Sequence, residues 1–207
     1  MPNWCINECR IVGPIDEIAK LYNDLNKWTE HNLAPNGFGS KWLGNIVIGA
    51  KLDWQKYNCR GRLISEISRD ETGVMLSFST ETAWSDIKDT WNKILEVCAP
   101  NCKYYYFSEE SGMGYVGTND IDKQFWNIDY VTDIYIDNPD ENPYPFLEQY
   151  IGITGWTIKS IVPFLQKVLD IQTNDITTLL EQLEKNKGWG IYGEDNGISV
   201  FEVMYEQ

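Results

Sequence analysis

Apolar and polar residues alternate from position 4 to position 12. Trp4, Ile6 and Val12 fall on one side and Cys5, Asn7, Cys9 and Ile11 on the other, the period-two pattern of a strand. Gly13-Pro14 breaks it, and Pro14 suits a helix start, where its missing N–H would have no intrahelical partner anyway. Ile15, Ile18, Tyr22 and Leu25 then recur at helical spacing to about residue 30. A long irregular stretch follows, "NLAPNGFGSKWLGNIVIGAKLDWQKYNCRG", rich in Gly, Asn and large aromatics. Long loops inside a compact domain are often functional. A short strand or helix is expected within it near Ile46–Ile48.

"RLISEIS" and "GVMLSFST" read as two strands joined by "RDET", a hairpin. Ser85 suits the N-cap of the next helix, whose apolar stripe is Ile87, Trp91, Ile94, Leu95 and Cys98 and which Pro100 ends. "KYYYF" is the following strand. Residues 4–107 thus read β-α-β-β-α-β, and the expected class is α+β: a ferredoxin-like antiparallel sheet with helices on one face. Beyond it, "FWNIDYVTDIYID" alternates as a long strand and "NPDENPYPF" is a proline-rich loop. Helices follow at about 158–170 and 174–187, the second with Ile176, Leu179, Leu180 and Leu183 on one face. "GWGIY" and "ISVFEVMYE" around Asp195-Asn196-Gly197 read as a hairpin, so the C-terminal extension is β-α-α-β-β. Residues 1–137 are expected to form the ferredoxin-like domain with a loop insertion at 33–60. Residues 138–207 are expected to form a helical and hairpin extension packed on it.

Charge narrows the partners. The chain has 17 Lys and Arg against 31 Asp and Glu, net −14, and no arginine follows Arg69. Nucleic-acid affinity comes largely from cationic side chains, so direct nucleic-acid binding is not expected, whereas a basic or DNA-binding protein is an electrostatically favoured partner. No secretory signal or bilayer-length apolar run is visible, and five cysteines, an odd number, fit reduced thiols, so the sequence reads as cytoplasmic. On a strand, Cys5 and Cys9 would lie roughly 13 Å apart at about 3.3 Å per residue, too far to share one metal. A buried apolar role fits both better, although Cys9 and Cys102 would lie on neighbouring strands.

"MPNWC-x-N", "KWLGN", "CRG", "TETAWS", "EESGMGY" and "TND" occur in this order over roughly residues 1–130. Together they resemble a family of ferredoxin-like (YubB-type) proteins of plasmids, phages and the mobile elements of gut Bacteroides-type bacteria. The familiar plasmid form has Pro where this chain has Asp86 and where it has Ser111. The resemblance implies a fold and a mobile-element setting, and no reaction.

Candidate chemistry is sparse. His31 is the one histidine, and no nucleophile elbow, phosphate loop or histidine-based metal motif is present, so no catalytic residue, metal site or cofactor is assigned. The motif residues Trp4, Asn7, Trp42, Asn45, Arg60, Trp84, Glu109 and Glu110 are candidates for binding, with the tryptophans lining one groove or packing the sheet ends. Arg60 is expected to pair with Glu81 or Glu110. Asp129, Asp133 and Asp137 share one strand face opposite Trp126, Ile128, Tyr130, Ile134 and Ile136, an acidic ladder able to imitate a phosphate track. The leading expectation is a mobile-element accessory protein that binds a protein partner through acidic and aromatic surfaces, in the manner of a DNA mimic. The alternative is a small-ligand binder or hydrolytic enzyme using a groove near Trp42, Trp84 and Glu110.

Overall fold

The computed structural model describes residues 3–31, 33, 37–110, 112, 114–136, 145–152, 154–186 and 196–206. The chain is α+β and divides into two compact units, Met1–Ile121 with Tyr205–Gln207, and Asp122–Met204. The division falls at 121/122 and not at 137, because the strand 130–136 pairs only within the second sheet.

In the first unit the elements run β1 (Trp4–Val12), α1 (Ile15–Glu30), α2 (Leu43–Gly49), β2 (Gly61–Leu63), β3 (Ser68–Arg69), β4 (Met75–Ala83), α3 (Lys88–Cys98), β5 (Lys103–Glu110) and β6 (Tyr115–Thr118). β10 (Met204–Tyr205) adds to the edge, giving the order β10-β6-β5-β1-β4-β2 with β3 beside β4. The central ladders β5-β1, β1-β4 and β4-β2 are antiparallel. Cys5, Asn7, Cys9 and Ile11 are fully buried, as the alternation requires. Cys9 and Ile11 meet Leu76, Phe78, Tyr104 and Tyr106 of the neighbouring strands in one core. α1 contributes Ile18, Leu21 and Leu25, α2 Leu43, Ile46 and Val47, and α3 Trp91, Ile94 and Leu95. At roughly 1.5–3 kcal/mol for each fully buried Leu or Ile, this apolar stripe holds α1 in place, since its N-cap makes no side-chain hydrogen bond.

Two local expectations are corrected. The strand predicted over 62–68 is interrupted, because the Ser65 hydroxyl accepts the Ser79 N–H (2.7 Å) and replaces a backbone ladder bond. Ser85 does not cap α3: its hydroxyl donates to the Asp86 carbonyl, and the residue before the helix is Ile87. Cys102 sits beside Gly13, while Cys9 is opposite Tyr106 and Phe78, so Cys9 and Cys102 are not partners. All five thiols are free. Burial pushes Cys5 up to about 12, pushes Cys59 and Cys102 up to about 11, and raises Cys9 further.

In the second unit β7 (Tyr130–Ile136) lies between β8 (Gly155–Trp156) and β9 (Asn196–Glu202), both antiparallel to it. α4 (Ile158–Leu169) and α5 (Ile176–Asn186) follow a 3-10 turn at Pro145–Tyr150. Trp156 stacks on Phe164 (4.7 Å between ring centres), and its indole N–H donates to Thr132 Oγ1 (2.8 Å). Around this pair Tyr130, Leu147, Ile161, Leu165, Leu179 and Ile198 close a separate core. The predicted hairpin's first arm lies outside the described residues. Among those described, no helix is long and apolar enough to cross a membrane.

Candidate functional site

The irregular stretch between α1 and β2 builds an aromatic cleft on the first unit. Asn45, fully buried in α2, organises it: its Oδ1 accepts the Leu33 N–H, and its Nδ2 donates to the Gly39 and Ser40 carbonyls, all at 2.9 Å. Trp42, just before α2, lies at the centre. Its ring meets Trp54 edge-on (5.3 Å, 78°) and Phe38 at a tilt (5.3 Å, 59°). The indole covers Gly44, where any side chain would collide with it.

Two pockets share Phe38, Trp42 and Arg60. One, of about 610 Å³, is completed by Trp4, Gly61, Arg62 and Glu81. The other, of about 640 Å³, is completed by Trp54, Gln55, Tyr57, Asn58 and Cys59. Both fall within the usual range for small-molecule sites. Phe38 is 67% exposed and Trp4 44%, so flat apolar faces are open to solvent.

The two arginines have different roles. Arg62, opposite Glu81 across the β2-β4 ladder, donates through Nε to Glu81 Oε2 at 2.8 Å. The expected Arg60–Glu81 pair is therefore not formed. Among the described residues Arg60 has no ion-pair partner and no side-chain hydrogen bond, and its side chain is exposed. A guanidinium is always charged, so the cleft carries one unmatched positive charge on an acidic protein.

The other candidates lie elsewhere. Asn7 is sealed beneath the sheet: its Nδ2 donates to Thr82 Oγ1 (2.7 Å) and Thr80 Oγ1 (3.1 Å), and its Oδ1 accepts from Ser108 (2.6 Å). Asn7 and Asn45 are structural. Trp84 is half exposed, with φ +76°, in the left-handed region that is a genuine outlier for a bulky residue, and it lines neither pocket. Glu110 is buried and accepts the Gly112 N–H (2.9 Å). Glu109 is on the opposite sheet face, paired in register with Ile6, and burial, with Glu8 adding, raises its carboxyl. The groove thus keeps Trp4, Trp42 and Arg60 of the predicted set and recruits Phe38, Trp54 and Tyr57 from the loop.

The acidic ladder is only partly available. Asp129 is ion-paired with Lys123, and its Oδ2 accepts the Ile158 N–H at the start of α4 (2.7 Å). Burial works against its ionisation, but these two donors outweigh it and hold the carboxyl below the usual range. Asp133 is exposed, and Asp137 lies outside the described residues.

A third pocket, polar and of about 190 Å³, holds none of the predicted site residues. Asn58, Asp86, Ile87, Lys88, Asp89, Thr90 and Glu206 line it. Asp86 Oδ2 accepts from Tyr104 Oη (2.7 Å), which also meets the Cys9 thiol (3.2 Å). Glu206, brought in by β10, accepts from Tyr106 (2.5 Å) and Tyr115 (3.1 Å) and lies 3.7 Å from Lys88 Nζ. Burial above all, with Glu206 adding, pushes Asp86 up to about 7 against the pull of the Tyr104 hydroxyl and of the Ile87 and Lys88 backbone N–H groups. No group of three or more His, Cys, Asp or Glu is placed to hold a metal ion among the described residues.

No protein-family model, curated protein or solved structure matches the chain.

Proposed function

We propose that the protein binds a small anionic molecule with a flat apolar part in the cleft around Trp42. The observation that carries this reading is Arg60: an exposed, unpaired guanidinium between two aromatic-walled pockets. A carboxylate or phosphate would satisfy its planar fork, and a ring would stack on Phe38 and Trp4. Docking of a basic protein on the acidic strand has less support, since Asp129 is already neutralised within its own unit. We further propose that the first unit is ferredoxin-like, a reading supported by the antiparallel order β5-β1-β4-β2 with α1 following β1 and α3 following β4, and, from the motif resemblance, that the protein is a mobile-element accessory protein of the YubB type.

Titration calorimetry with nucleoside monophosphates and aromatic carboxylates tests the ligand class. At least one probe should bind, and Arg60→Ala should weaken it by about 10–100-fold, the cost of losing a charge-assisted hydrogen bond. Arg62→Ala should matter less, because Arg62 is already matched to Glu81. Failure of every probe to bind, or equal binding by Arg60→Ala, would sink the proposal.

A further inference from the structure

The polar pocket at the start of α3 is distinct in character from the aromatic cleft, although Asn58 lines both. Its central feature is an incomplete hydrogen-bond set. Tyr104 occupies Asp86 Oδ2, and Asp86 Oδ1, buried from solvent, has no hydrogen-bond partner. A buried acceptor without a donor costs stability, and such exceptions are rare enough to require a reason. Asp86 as a residue keeps some exposed surface, so the side chain is at a pocket wall and not in a closed core.

The charges around it specify what is missing. Asp86, Asp89 and Glu206 contribute three carboxyl groups, and Lys88 one ammonium. The N-terminus of α3 adds a partial positive charge of about one half, which does not reverse the excess. Glu206 already receives two tyrosine hydroxyls and lies beside Lys88; Asp86 receives Tyr104 and feels the Ile87 and Lys88 backbone N–H groups, but its Oδ1 has no donor in hydrogen-bond geometry. The carboxylates are not grouped as metal ligands. At about 190 Å³ the pocket has room for several waters or for a small organic group.

We infer that this pocket binds an organic cation, an alkylammonium or guanidinium group, whose N–H donates to Asp86 Oδ1 while its charge is balanced by Asp86, Asp89 and Glu206. Such a group comes either from a free small molecule or from a Lys or Arg side chain of another protein. The bound cation requires ionised Asp86, so binding is coupled to loss of its proton. The groups that face this titration are Glu206, Asp89, Lys88, Tyr104, Tyr106, Tyr115 and the Cys9 thiol.

The experiment is an NMR titration of the full chain with ethylguanidinium, butylammonium and a short Gly-Gly-Arg-Gly-Gly peptide, following the amides of Asn58, Lys88 and Thr90. Saturable shifts are expected with one or more probes. Because Asp86 changes charge near pH 7, affinity should rise about tenfold from pH 6 to pH 8. Asp86→Asn, which keeps an oxygen for Tyr104, should weaken binding at least tenfold. Glu206→Gln should weaken it too, and serves if Asp86→Asn does not fold. Tighter binding of the peptide than of the small cations assigns the site to a partner's side chain; the reverse assigns it to a free amine. Absence of saturable shifts with all three probes, or binding unchanged by both pH and substitution, overturns the inference.

Discussion

Asp86→Asn should make the first unit more stable than wild type above pH 7 and less stable than wild type near pH 4. The folded carboxyl is pushed from its ordinary 3.8 to about 7, first by burial and then by Glu206. The folded state therefore holds this proton more tightly than the unfolded chain does. Its contribution to stability is complete below about pH 4 and is lost as the pH rises through about 7. About three pH units at about 1.36 kcal/mol each give about 4 kcal/mol for the pH-dependent part. Asn has no proton to lose and can still accept from Tyr104, so the variant escapes that loss. Its amide nitrogen meets the same unpartnered position as Asp86 Oδ1, at a pH-independent cost of about 1–3 kcal/mol. The decisive quantity is therefore the wild-type-to-variant difference as a function of pH. Urea unfolding from pH 4.5 to 8.5 would measure it. It should be followed by amide exchange in β1 and β5, since the two units need not unfold together. A difference that varies by less than about 1 kcal/mol over this range would refute the assigned cause of the shift.

Two further outcomes follow from burial. Asn7→Ala should destabilise the first unit by about 3 kcal/mol, because Ser108 loses its acceptor and two threonine hydroxyls lose a donor in a sealed space; equilibrium denaturation of the variant checks this, and a loss under about 1 kcal/mol would contradict it. In the native protein at pH 8, iodoacetamide should modify Cys98 first and leave Cys5 and Cys9 untouched, since Cys98 is the only one of the five thiols that is not buried; peptide mass spectrometry would detect the opposite order.

The elements of the first unit were legible where one physical signal dominated. Strict alternation at 4–12 and helical spacing from Ile15 to Leu25 are direct records of which side faces the core. The signal failed where side chains replaced backbone partners. Ser65 interrupts an apparently regular strand by accepting the Ser79 amide, a choice that depends on a residue fourteen positions away. The cleft was half legible. Trp4 and Trp42 were marked by the motifs and Trp54 was not, and the pairing of Glu81 with Arg62 and not Arg60 depends on a register that local pattern does not encode. The acid pocket was invisible for a simpler reason. Asp86 and Glu206 belong to distant segments, and only the strand order brings them together.

That strand order also sets a timetable. The first unit is written in two pieces, with the whole of Asp122–Met204 between them in the chain. Domains generally fold as the ribosome delivers them, from the N-terminus onward. The sheet from β2 to β6 can be complete long before Tyr205 and Glu206 exist. Until then, Tyr106 and Tyr115 have no Glu206 to receive their hydroxyls, and the pocket at Asp86 lacks one wall. The acid pocket is thus among the last features to form during synthesis, and a chain stopped short of Glu206 would retain the aromatic cleft without it.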